Sequence, residues 1–146
     1  MANSDVEIFN NLMSGNGTVN LSIVSYGDET DDPNYYPHPK NIQVHGNTYG
    51  PSGFDPDIDT GDLAKALFEI SGGNMPDIFW DGIVPISQII FGQPDDEKLI
   101  IAEKDATFLT IKPIKYMLGF SDPVNTNKND FKGDISPLEK ITIETF

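Results

Sequence analysis

The chain has 146 residues, enough for one domain whose core needs no cross-links, and 38% of them are apolar. It has no cysteine, which excludes disulfides, thiolate nucleophiles, iron–sulfur clusters and thiolate zinc sites. Its 23 acidic residues face only 9 basic ones, all lysine, for a formal charge of −14. Direct binding to nucleic acid or anionic lipid, which draws on cations and arginine forks, is therefore not expected.

Ser4 and Glu7 have capping-box spacing, and Val6, Phe9, Leu12 and Met13 recur near the helical period, so residues 5–13 are predicted to form a short amphipathic helix ended by Ser14-Gly15-Asn16-Gly17. Thr18 to Tyr26 alternates, with Val19, Leu21 and Ile23 on one face, which predicts a half-buried strand. Residues 27–56 read as a long loop region rich in Pro, Gly and Asp, with Ile42-Gln43-Val44 as a short strand. Leu63, Ala66, Leu67 and Ile70 follow i, i+3, i+4, i+7 and give the clearest helix, 62–70, stopped by Ser71-Gly72-Gly73.

Ile78-Phe79-Trp80 is a short apolar run, and Ile83 to Phe91 fits a buried strand or a helix with Pro85 in its first turn, periodicity alone not deciding between them; the helix is preferred. Lys98 to Ala102 and Thr107 to Lys112 flank Glu103-Lys104-Asp105-Ala106 and are predicted to pair as a hairpin. Ile114, Tyr116 and Leu118 would extend its second strand past Pro113. Asp122 to Gly133 reads as a polar loop, and Ile141 and Ile143 alternate with Thr142 and Glu144 as a final strand. No internal repeat is visible. The expected fold is a single strand-rich α+β domain over 1–146, with five or six mostly antiparallel strands and two or three short helices.

The acids are 16 Asp to 7 Glu, and Asp favours turns and caps over helix interiors. They cluster in connections. The expected partner-binding residues are Asp28, Glu29, Asp31 and Asp32, the neighbouring aromatics Tyr35 and Tyr36, and Asp95, Asp96 and Glu97. Asp55, Asp57, Asp59 and Asp62 form the densest group, whose alternate carboxylates suit a loose calcium site. As an EF-hand this loop fails, since Thr60 stands where Gly is needed and Ala66 where a bidentate Glu is needed. Helix capping by Asp59, Thr60 or Asp62 is the plainer role. Apart from calcium, no cofactor is expected.

Asp59-Thr60-Gly61 spells the triplet of retroviral-type aspartic proteases, but no apolar strand precedes it and adjacent carboxylates would disturb a shared proton. His38 and His45 are the only histidines, and their spacing suggests neither a helical metal site nor a catalytic triad. Gly15-Asn16-Gly17 lacks the order of a phosphate loop. The N-terminal segment has no basic, then apolar, leader pattern and no stretch is long enough to span a bilayer, so the expected location is cytoplasmic or in a virion.

Two functions fit. One is a non-enzymatic assembly protein, such as a virion or other multimeric structural subunit, whose partner is a second copy of itself. The other is an acidic inhibitor or immunity-type protein whose Asp-rich loops cover the basic site of a nucleic-acid-binding enzyme.

Overall fold

The computed structural model describes residues 3–27, 32 and 34–138. Among them lie nine strands. β1 (Ser4–Phe9), β2 (Leu12–Met13) and β3 (Leu21–Ile23) follow one another around a first turn of chain, and β4 (Lys40–His45), β5 (Thr48–Tyr49) and β6 (Ile78–Trp80) around a second. β7 (Leu99–Ala102) and β8 (Phe108–Ile111) form a third turn. Successive turns stack strand on strand. The sheets run β1-β4-β7, β2-β5 and β3-β6-β8, every one of these pairs parallel, in the manner of a short β-solenoid.

The stacking puts like side chains over like. Val6, Ile42 and Leu99 share one rung position, Ile8, Val44 and Ile101 the next, and Leu21, Ile78 and Phe108 a third on the other sheet. These residues, with Ile23 and Trp80, form the main core between two sheets. Ile78, Phe79 and Trp80 are all buried because β6 is covered on both faces, the usual condition of a parallel strand. On its outer face Phe79 meets Leu109 and Leu67, the latter from helix α1 (Asp62–Ile70). Burying one leucine of this kind contributes about 1.5–3 kcal/mol.

A side-chain ladder runs up one corner of the coil. Asn47 Oδ1 accepts from Asn11 N at 2.9 Å and from Asn11 Nδ2 at 3.0 Å, while Asn47 Nδ2 donates to Glu103 Oε1 at 2.7 Å. That same carboxylate oxygen accepts from Asn47 N at 3.1 Å and from the Tyr49 hydroxyl at 3.1 Å. Burial and the charge of Glu103 raise the Tyr49 hydroxyl well above its usual range. Three donors on one oxygen account for a buried glutamate in the wall of a strongly acidic protein.

The far end of the stack is closed. β9 (Val124–Asn125) pairs antiparallel with β8, and the 3-10 turn Lys128–Phe131 delivers Phe131 edge-on to Trp80 at 5.6 Å and against Phe108 at 5.0 Å.

Several expectations are corrected. The sheets are mostly parallel, where mostly antiparallel pairing was expected, because each strand meets its partner after a full turn of chain. Residues 5–13 form β1 and β2 instead of a helix; left-handed backbone at Asp5 (φ 59°) and Asn10 (φ 56°) interrupts any helical run. The strands flanking Glu103 do not pair as a hairpin, since the corner sends β7 to β4 and β8 to β6. Ile114 and Tyr116 lie in helix α3 (Pro113–Met117) and Leu118 caps it; Pro113 cannot donate to a ladder and starts the helix instead. A 36-residue structural repeat is present, with Asp5 and Asn41, and again Asn10 and Gly46, sharing positive φ at equivalent positions. The expected final strand at 141–144 lies outside the described residues.

Asn47→Ala removes the middle rung of the ladder and takes two donations from buried Glu103 and Ile8 O. A loss of about 1–3 kcal/mol is expected in urea denaturation at neutral pH. A change within error would show that the ladder does not fix the coil.

Candidate interaction surface

The third turn is preceded by helix α2 (Ile86–Phe91) and followed by α3. Pro85 sets the entry to α2 with φ −52°, and its carbonyl accepts from Gln88 N at 2.8 Å, while Gly92 at φ +85° ends the helix. Gly82, at φ +70°, lets the chain cross the end of β8, where an added Cβ would sit 2.0 Å from Ile111 O. Both helices therefore spring from one place, the end of the β6–β8 pair.

Neither helix buries a single residue, although most of their side chains are apolar. Phe91 is 86% exposed, Met117 82% and Ile86 75%, and Ile90, Leu118 and Phe120 are also open to solvent. From Ile83 to Gln93 there is no charged residue, and from Pro113 to Phe120 only Lys115. The two helices thus present an apolar, nearly uncharged surface on a protein of charge −14, which makes it a candidate interaction site.

The same helices wall a cavity of about 280 Å³ lined by Trp80, Ile89, Thr110, Ile114 and Phe131, with Lys112 and Lys115 among its polar residues. Asp122 Oδ2 lies 2.6 Å from Lys115 Nζ and 3.4 Å from Lys112 Nζ, and the Lys115 hydrogen bond holds its carboxyl below the usual range. Trp80 Nε1 is buried and has no hydrogen-bond partner, the one such side-chain atom among the described residues. An unmet buried donor costs about 1–3 kcal/mol.

The sequence-predicted contact residues fall into separate places. Tyr36 and Glu97 are brought together: Lys40 Nζ stands 4.9 Å from the Tyr36 ring centre and 3.7 Å from Glu97, and Gln88 of α2 donates to Glu97. Burial first, and then Glu97, push the Tyr36 hydroxyl up. Tyr35 packs edge-on to Tyr26 at 6.1 Å, and Asp32 accepts from Asn34 N at 2.9 Å. Asp95 pairs with Lys98 at 2.6 Å, and Asp96 is exposed. Asp28, Glu29 and Asp31 lie outside the described residues.

In the 55–62 loop, Asp57 accepts from Thr60 Oγ1 at 2.6 Å and from Thr60 N at 3.1 Å, which lowers its pKa and closes the turn before α1. No side-chain hydrogen bond caps that helix. Asp55, Asp57, Asp59 and Asp62 do not converge, and among the described residues no three acidic or histidine side chains do.

Sequence reasoning missed Asp81. Its carboxylate, 8% exposed, accepts from Ser25 N at 2.6 Å and from Ile83 N at 3.0 Å, tying the end of β3 to the approach to α2. His38 lies beside it, with Nδ1 3.4 Å from Ser25 Oγ. No signal short of three-dimensional packing separates this aspartate from the fifteen others.

Comparison with known families, characterised proteins and solved structures finds no match. Among the described residues, no helix is long and apolar enough to cross a membrane.

Burial raises the Asp81 pKa, and the two amide donors only partly oppose that. A carboxyl raised on folding contributes stability that is fully present below its ordinary value of about 4 and is lost as pH rises through the folded value. Comparison of wild type with Asp81→Asn by urea denaturation from about pH 3 to pH 7 should show the wild-type advantage largest in acid and shrinking upward. An advantage that grows with pH would mean that hydrogen bonding outweighs burial.

Proposed function

We propose that this chain is a non-enzymatic assembly subunit that buries the α2–α3 ridge against a second copy of itself. The observation that carries the reading is the exposure of Ile86, Ile90, Phe91, Met117 and Leu118 on two helices with no buried face of their own. Charge distribution favours a like partner there. Two copies of a chain carrying −14 repel one another, and the ridge is a surface where they meet without opposing carboxylates. A basic partner would be drawn to the Asp-rich connections instead.

A stable interface of this kind buries about 1,200–2,000 Å² in total and draws its energy from a few large apolar anchors. Phe91 and Met117 fit that role. The packed coil supplies a rigid frame, so the helices need little ordering when they dock.

Light scattering after gel filtration should give one defined multimer for the wild type. Phe91→Asp combined with Met117→Asp should give a monomer with an unchanged far-ultraviolet circular dichroism spectrum. A wild-type monomer at high micromolar concentration would overturn the proposal.

A further inference from the structure

The first turn of the coil is open where the third is closed. Among the described residues β1, β2 and β3 each have a partner strand on one side only. Val6, Ile8 and Leu21 are half-buried, whereas Ile42, Val44 and Ile78, stacked on them in the second turn, are buried. A cavity of about 140 Å³ lies there, walled by Val6 and Ile8 of β1, Leu21 and Ile23 of β3 and Ile42 of β4. An unpaired edge beside half-covered apolar side chains is a template for one more strand, with apolar groups on alternate residues.

The chain itself heads for that edge. Glu7, Gln43 and Ile100 share one rung of the β1-β4-β7 sheet, on the face opposite Ile42 and Val44. An added Cβ at Gly133 would stand 3.0 Å from Ile100 Cδ1, and Ser136 N donates to Gln43 Oε1 at 3.0 Å, so residues 133–136 cross this outer face from β7 to β4. Gln43 beneath them is only 2% exposed, and Leu138, two residues further on, is half-buried. From Ser136 the free edge of β1 is two strand spacings away, about 10 Å, a reach of about three or four extended residues. That reach ends near Lys140, just ahead of Ile141-Thr142-Ile143-Glu144, the alternating stretch outside the described residues.

We propose that residues 140–146 dock along the free edge of β1 in the same molecule, with Ile141 and Ile143 turned inward over Val6 and Ile8 as a fourth layer of the apolar columns. The six residues of β1 give the alternating stretch its full length of edge. The short path from Ser136 favours this segment over one from a second copy. None of these residues belongs to the α2–α3 ridge.

Amide hydrogen exchange of the full chain, followed residue by residue by nuclear magnetic resonance, reads the edge directly. In a parallel strand successive residues bond to opposite neighbours, so pairing on one side protects every second amide and pairing on both sides protects them all. Val6, Glu7 and Ile8 should all be protected in the wild type. In Ile141→Asp combined with Ile143→Asp, or in Thr142→Pro, alternate amides of β1 should exchange at least roughly tenfold faster, while those of β4 and β8 and the circular dichroism spectrum stay as they are. Alternate protection of β1 in the wild type would overturn the proposal, whether or not the variants fold. Full protection of β1 persisting in both variants would overturn it as well. Protection that is lost on dilution would put a second copy on this edge and overturn docking within one molecule.

Discussion

Register between parallel turns is the constraint on which the molecule depends. A strand that slips by one residue turns its whole apolar set outward, and Val6, Ile8, Ile42, Val44, Leu99 and Ile101 face one interior only while their offset holds. The Asn11–Asn47–Glu103 ladder fixes that offset from the side. Each amide satisfies the next, and a slipped turn would leave buried polar atoms without partners. Matching left-handed residues near the start of β1 and β4, Asp5 and Asn41, and just after their ends, Asn10 and Gly46, give consecutive turns the same backbone shape.

Coil and connections divide the work. The stacked strands hold nearly all of the buried apolar residues, while the segments inserted between them carry the exposed aromatics, the acidic clusters and both bare helices. Such a frame tolerates insertions of different length because each enters and leaves at a fixed corner. Asp81 and Gly82 are two of those fixed points. One ties two amides to the end of the second turn, and the other lets backbone pass against backbone.

Elements governed by local periodicity were legible in the sequence. The i, i+3, i+4, i+7 pattern of Leu63, Ala66, Leu67 and Ile70 corresponds to α1, and Pro85 marks the entry to α2. Strand direction was not legible, because it is set by partners 36 residues apart that share only apolar character, as Val6 and Ile42 do. The next interval is 57 residues, from Ile42 to Leu99, and this uneven spacing hides the repeat. Val6, Phe9, Leu12 and Met13 fit a helical spacing by coincidence, whereas the faces that matter alternate through Val6 and Ile8. The surface of α2 and α3 was hidden for a different reason. An apolar run reads as core until the structure shows its side chains exposed, as Phe91 and Met117 are.

Among the described residues the middle turn has a coil turn on both sides, and its Val44 and Ile78 are wholly shielded; the third turn is covered by β9 and Phe131, while Ile8 and Leu21 of the first turn are only half-buried. In a one-dimensional stack each layer is held chiefly by the layers touching it, so three is the smallest number that gives any layer complete cover. Melting of either terminal layer would strip the centre of a wall. The stack is thus bound to behave as one cooperative unit, in contrast to long solenoids that can fray from an end while their middle persists.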